Sequence, residues 1–301
     1  MGRLITLYVS LLLASFHTLA QPNISLTFDD GFTNDQPGYA FKEWNKMILD
    51  HLDNAEVTTI LFSTGLNKTD EKGQYLLKSW DDRGHMIGNH TYTHPNYNSE
   101  HVTFEKFSRE ILTTDTIINK FENYRRLFRF PYLKGGNTPD KIERLRTFFK
   151  ENNYERGYVT IDASDWYVNS RLVQRLKDDP DADITGFRDF YLDHLFQRAM
   201  FYEKLSFELT GRHIKHTLLL HHNLAAALFL GDLIEKFKSE GWQLVSAEEA
   251  YEDPVFQEQP DHPGESLIWA LAKDSGLYEE LLRYPAEDSR YEKDEMDRLG
   301  L

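Results

Sequence analysis

Asn23-Ile-Ser-Leu-Thr-Phe-Asp-Asp-Gly31 is an apolar, β-branched strand up to Phe28 that stops abruptly on two carboxylates and a glycine. Phe41, Trp44 and Ile48 then recur at helical spacing within residues 37–51, with Leu52 just beyond. Residues 56–63 (Glu-Val-Thr-Thr-Ile-Leu-Phe-Ser) form a second strand, ended by Gly65. The same alternation continues. Helix is expected over 75–83, strand over 85–89, helix over 104–124, strand around 127–130 and helix over 139–152. Strand 157–162, a long helical region 185–210, strand 217–221, helix 225–240 and a short strand 243–245 complete it. Strands alternating with helices imply a parallel sheet with helices outside, doubly wound or closed as a barrel. Asp29-Asp30, His90, Arg129, Asp162 and His221 each fall at or just past the C-terminal end of an expected strand. In parallel α/β architectures the loops on that edge ring one pocket, so catalytic groups converge there.

Composition narrows the chemistry. The 301 residues are 40% hydrophobic and 14% aromatic, which suffices for a sizeable core and excludes a disordered chain. Zero cysteine excludes disulfides, thiolate zinc sites, Fe–S clusters and a cysteine nucleophile, so any metal site must use His and carboxylates. The formal charge of −15 argues against nucleic acid or an anionic membrane as partner. Arg3 precedes an apolar run over 4–16, and Thr18-Leu19-Ala20 supplies small residues for cleavage, so residues 1–20 read as a secretory signal peptide. Its removal would leave 33 basic and 49 acidic residues, 33 − 49 = −16. No later stretch is apolar enough to span a bilayer. The expected product is exported, periplasmic or secreted, and monomeric.

His90-Thr-Tyr-Thr-His94 offers two imidazoles, with Pro95 and the threonines favouring a turn over a regular helix. The zinc-protease helix needs Glu directly after the first His, and Thr91 stands there. Two neutral nitrogens need an anionic partner, and Asp29-Asp30 offers carboxylates on the same edge. Such a site suits zinc-type hydrolysis or iron(II) oxygen chemistry. The carboxylate-first order and the βα alternation favour hydrolysis.

Thr27-Phe-Asp-Asp-Gly31, His90-Thr-Tyr-Thr-His94, Arg129-Phe-Pro-Tyr132, Asp162-Ala-Ser-Asp-Trp166 and Leu218-Leu-Leu-His221 follow in that order. With these motifs the chain resembles the polysaccharide deacetylases of carbohydrate esterase family 4, over about residues 24–245 (the NodB homology domain). Each motif alone is short; their sequence is specific. The resemblance implies a distorted (β/α) barrel that removes acetyl groups from N-acetylated polysaccharides or oligosaccharides, chitin-like or peptidoglycan. It implies a divalent metal, zinc in the first place with Co2+ or Ni2+ as alternatives, on Asp30, His90 and His94. Asp29 would be the general base toward the metal's water, Arg129 would hold Asp29, and His221 would be the general acid. Asp162 would hydrogen-bond His221. The backbone N–H of Tyr132 would meet the developing oxyanion, while Trp166 and Leu219 would wall the slot for the acetyl methyl group.

Other residues get plainer readings. Asp165 is taken as a solvated loop carboxylate outside the site, and His222 as not the acid. His85, His101, His213 and His216 are assigned to surface or supporting positions. Asn23, Asn67 and Asn89 begin N-x-S/T triplets that mean little without a glycosylating host. The deacetylase domain is expected over 21–252, with a helical insertion at 167–216 whose aromatics (Phe187, Phe190, Tyr191, Phe196, Phe201, Tyr202, Phe207) either pack outside the barrel or shape a glycan groove. Residues 253–301 form a charged C-terminal extension with a short apolar helix at 266–272. An O-acetyl esterase of the acetylxylan type and a non-catalytic glycan-binding protein are the alternatives, because one fold hosts several functions.

Overall fold

Along the opening strand, Ile24, Leu26 and Phe28 are fully buried in the main apolar core, while Ser25 and Thr27 are buried without belonging to it. The alternation therefore sends apolar side chains outward to the helices and polar ones inward, as a strand buried on both faces of a barrel wall requires. A computed structural model describes residues 21–282 and 288–301. The expected leader, residues 1–20, lies outside the described residues.

The elements are β1 (Asn23–Asp30), α1 (Phe41–Asn54), β2 (Ile60–Ser63), α2 (Glu71–Asp81), β3 (Met86–Asn89), α3 (Phe104–Ile118) and β4 (Tyr124–Phe128). They continue with α4 (Pro139–Glu151), β5 (Glu155–Arg156), α5 (Asp165–Asp178), α6 (Thr185–Thr210), β6 (Lys215–His221), α7 (Leu224–Ser239) and β7 (Gln243–Leu244). The last helices are α8 (Ala247–Tyr251), α9 (Leu267–Ser275) and α10 (Arg290–Leu299).

All strand pairings are parallel, in the order β5-β4-β3-β2-β1-β6, with β7 beside the start of β1. The sheet curls until residues 155–161 bridge its two edges. At one end of that segment β5 pairs with β4, and Gly157 N donates to Phe128 O. At the other end Ile161 bridges Leu218 of β6, with Ile161 N bonded to Thr217 O and Leu219 N to Ile161 O. This is the distorted barrel expected from the sequence, with helices around a parallel sheet. The bore holds Ile60, Phe62, Met86 and Leu127, closed by Ala247 of α8.

Where the elements depart from the sequence reading, local chemistry explains it. Helix α2 starts at Glu71 rather than at 75 because the Asp70 side chain caps it, accepting from Gly73 N at 2.7 Å. The 157–162 segment is not a regular strand, since it spends its backbone partners on two different neighbours. Helix α5 fills the first part of the 167–216 stretch expected to be helical, beginning two residues earlier at Asp165; Val168, Leu172 and Leu176 form its buried stripe. In α6, Phe187, Tyr191, Phe196 and Tyr202 are buried in the main core. None of the described helices is long and apolar enough to cross a membrane.

Gly157 sits at the closing seam, where a Cβ would lie 2.3 Å from Phe62 Cζ. Gly157→Ala should therefore overpack the bore and cost about 1–3 kcal/mol, read as a lowered denaturant midpoint at unchanged slope.

Candidate active site

Strand β1 ends in two carboxylates that leave it in different environments. Asp29, in register with Ser63's neighbour Phe62 on β2 and with His221 on β6, is 3% exposed. Asp30 adopts φ 77° and is followed by Gly31 at φ 75°, so the chain leaves the sheet through two left-handed residues. Asp tolerates that region better than most residues, and Gly adopts it freely. The turn is held by Thr64, whose N–H and hydroxyl both donate to Asp30 O, at 3.1 and 3.0 Å.

After β3 the loop carrying His90 and His94 is similarly forced. Thr91 has φ 66° and His94 φ 59°, unusual for non-glycine residues and most of all for a β-branched one. The surroundings over-determine it: Asn89 Oδ1 accepts from Thr91 N at 2.9 Å, and Glu110 on α3 accepts from the N–H groups of Tyr92 and Thr93. Gly65 N donates to Thr91 O, and a Cβ at Gly65 would collide with Tyr92 and Thr114 at 2.5 Å. Thr91 and His94, with Asp30, Tyr132 (φ 55°) and Leu133 (φ 56°), make five of the nine non-glycine positive-φ residues among the described ones. Backbone strain is concentrated where the strands' C-terminal ends meet.

His90 Nδ1 lies 2.9 Å from Arg129 O, so Nδ1–H donates there and Nε2 turns its lone pair outward. Nε2 is 3.8 Å from Asp30 Oδ1, and His94 Nε2 is 3.6 Å from the same oxygen. One ligand atom from each of Asp30, His90 and His94 lies within 4.8 Å of the others, the one such cluster among the described residues. Burial holds His90 down at about 3 and lowers His94 as well, so both rings are neutral donors. The donor set, its tautomer and its charge fit a divalent cation of the borderline class that binds two imidazoles and a carboxylate.

Arg129 is 1% exposed. Its Nη1 donates to Asp29 Oδ1 at 2.8 Å and Thr27 Oγ1 at 2.9 Å, Nε to Gly157 O at 2.8 Å, and Nη2 to the Tyr251 hydroxyl at 2.9 Å. The guanidinium also stacks over Phe62, 4.1 Å from the ring centre. Burial pushes Asp29 above the ordinary carboxylate range, while Arg129 and then His221 pull it back. A carboxylate poised this way is a better base than a solvated one.

His221 corrects the sequence reading. Its Nδ1 is 2.7 Å from Asp165 Oδ1, and its backbone N–H donates to Asp165 Oδ2 at 2.8 Å. Asn223 Nδ2 adds a third bond to that carboxylate. Asp165, expected outside the site as a solvated side chain, is fully buried and is the partner that Asp162 was expected to be. The physical reason is helix α5: it begins at Asp165 and turns that carboxylate under the end of β6, whereas Asp162 ends the seam segment and faces the cavity. Burial alone would lower His221, but the charge and hydrogen bond of Asp165, with Asp30 and Asp29, hold it up at about 10.

A cavity of about 350 Å³ opens over these groups, with Asp29, His90, His94, Asp162 and His221 in its floor and Tyr132, Trp166 and Leu219 in its wall. The Tyr132 ring packs edge-on to His94. His222 points the other way, buried against Trp44 with Nε2 2.9 Å from Asn45 Oδ1. His85 and His216 are fully buried, His216 between Glu203 and Thr160. Thr27, Tyr251, Glu110 and Asp165 are the supporting residues that sequence reasoning missed. Thr27 and Asp165 carried a visible signal, their places inside the motifs Thr27–Gly31 and Asp162–Trp166.

The polysaccharide deacetylase family model matches residues 17–147. A peptidoglycan-N-acetylglucosamine deacetylase of Bacillus cereus is 32% identical over 144 residues, 48% of this chain and 46% of that protein. The peptidoglycan-N-acetylmuramic acid deacetylase PdaA of Bacillus subtilis is 40% identical over 75 residues, 25% of each. The alignments thus span half or less of the curated relatives they match. The solved Bc1960 peptidoglycan N-acetylglucosamine deacetylase superposes with a TM-score of 0.52 at 23% identity, covering 76% of this chain and 88% of that one, and shows the same fold.

Asp165→Asn should lower the proton affinity of His221 in metal-free protein by at least about tenfold, and Asp162→Asn by much less, followed by NMR titration of the imidazole. The sign follows from the raised folded-state value. The pair's stabilisation is complete below the unfolded ~6.5 and disappears as pH rises through about 10.

Proposed function

We propose that this chain, a homologue of the polysaccharide deacetylases, hydrolyses the N-acetyl groups of a GlcNAc-containing glycan, with peptidoglycan as the favoured substrate class. The observation that carries the reading is the placing of two oppositely charged groups side by side on adjacent strand ends in the floor of one cavity. A buried carboxylate held by arginine, Asp29, lies in register with a histidine held protonated by Asp165, His221. Peptidoglycan is favoured because two curated relatives are named for acting on it.

Asp30, His90 and His94 would hold a divalent cation, zinc by the chemistry of the donors, which when bound polarises a carbonyl and makes water a stronger nucleophile. Asp29 takes the proton of the attacking water; Arg129 fixes its orientation and keeps it ionised. The Tyr132 N–H is positioned in sequence to donate to the amide oxygen as charge develops there. His221 gives its proton to the departing amine, a poor leaving group unless protonated. Trp166 and Leu219 provide an apolar wall suited to the acetyl methyl group. The leader expected over residues 1–20 would, if it directs export, put the substrate outside the cytoplasm.

Acetate release from N-acetylated glycan fragments should vanish with chelator and return on adding zinc. Asp29→Asn should lower kcat by about 10²–10⁴-fold while metal stays bound. Loss of metal from that variant would reverse the assignments of Asp29 and Asp30. Parallel assays on N-acetyl and O-acetyl sugars with one preparation separate this reading from an ester-specific enzyme; no release from any N-acetylated glycan by metal-loaded protein would overturn it.

A further inference from the structure

The loop that delivers Asp165 to His221 is gripped from beneath by α6. His194 and Arg198, four residues apart on one face of that helix, both reach it. Arg198 Nε donates to Asp162 O at 3.1 Å, and His194 Nε2 lies 3.2 Å from Ser164 N. Ser164 directly precedes Asp165. For Nε2 to accept the Ser164 N–H, the His194 ring must carry its proton on Nδ1. Facing Nδ1, at 3.7 Å, is the carboxylate of Glu292, which is only 3% exposed.

Glu292 comes from the other end of the sequence, on α10. That helix is packed into the body of the protein. Met296, one turn on from Glu292, is fully buried in the main core. Arg171 of α5 donates to Asp297 at 2.7 Å and to Leu301 O, and Arg175 of α5 donates to Gly300 O. Helix α10 is thus tied to both helices that frame the 162–165 loop: to α5, which begins at Asp165, and to α6, which holds Ser164.

We propose that α10 is a positioning element for the general acid, with Glu292 selecting the His194 tautomer that anchors Ser164 and thereby holds Asp165 against His221. This rests on reading His221 as the acid of an amide hydrolase. Glu292 and His194 touch neither substrate nor reacting atoms. They act through Asp165, and their loss should misplace the acid while leaving base and metal ligands, which stand at the end of β1 and on the loop after β3, undisturbed.

The leaving group makes this testable. An N-acetyl sugar leaves as an amine and needs a proton; 4-nitrophenyl acetate leaves as a stabilised phenolate and does not. In zinc-loaded full-length protein, Glu292→Ala should lower kcat on the amide at least about tenfold, part of the ~10²–10⁴ that a general acid supplies, with KM and aryl-ester turnover within about twofold. Glu292→Gln, whose amide oxygen can still face Nδ1–H with its negative end, should recover most of the loss. Equal loss on amide and ester, or no loss on either, would overturn the proposal. Hydrogen exchange gives a readout that does not need activity. The Ser164 amide should exchange faster in Glu292→Ala, with β1 and β6 unchanged, and unaltered Ser164 exchange would equally overturn it. If the parent protein hydrolyses the ester and no amide, the deacetylase reading falls on its own, while exchange at Ser164 still decides the role of α10.

Discussion

The site depends on one buried charge pair, Arg129 with Asp29. Two ions inside a barrel cost several kcal/mol each to desolvate, which mutual attraction offsets only when the remaining hydrogen bonds are met. Here they are met. The guanidinium reaches β1 through Thr27 and Asp29, the closing seam through Gly157, α8 through Tyr251, and the face of Phe62 on β2. Its own carbonyl receives His90 Nδ1–H and so directs Nε2 toward Asp30. The residue that pairs with the proposed base, Asp29, also sets the tautomer of His90, a candidate metal ligand, and helps close the barrel. Removing it would leave Asp29 buried without a counter-charge.

That economy explains why the motif order in the sequence is informative while single motifs are weak. A strand whose last residues are carboxylates, or one followed by His-x-x-x-His, has many structural uses. On a parallel sheet the ends of β1, β3 and β6 and the residue after β4 meet at one rim, and the pleat separates neighbours such as Asp29 and Asp30. The parallel sheet and the convergence of Asp29, Asp30, His90, Arg129 and His221 on one rim were therefore legible from strand ends, while the ligand set, the contact of Arg129 with Asp29 and the cavity wall of Tyr132, Trp166 and Leu219 came from the family resemblance. What strand ends cannot convey is the contribution of helices that arrive from the side. Asp165 opens α5, a helix whose buried stripe the sequence reading does not mark, so that the family resemblance alone points to Asp162 and Asp165 reads as a solvated loop carboxylate. Tyr251, Glu110 and Glu292 are supplied by α8, α3 and α10. Their roles depend on packing between elements far apart in sequence, which periodicity does not encode.

The histidines show the same limit at atomic scale. Sequence places them; the atom facing the second ring nitrogen determines what each can do. His90, with a carbonyl at Nδ1, presents a lone pair at Nε2. His221, with a buried carboxylate at Nδ1, is held as a cation and can release a proton. Its neighbour His222 has an amide oxygen at Nε2 and two indoles around it, and burial holds it neutral at about 3. Adjacent residues on one chain thus differ by about seven in pKa, the difference between about 10 and about 3. Nothing intrinsic to imidazole distinguishes them. The separation comes from β6 ending between them, so that one ring faces the cavity beside Asp165 and the other enters the core behind α1. A general acid is therefore a property of the partner as much as of the histidine. Whatever fixes Asp165, including residues at the far end of the chain, belongs to the account of how His221 comes to hold its proton.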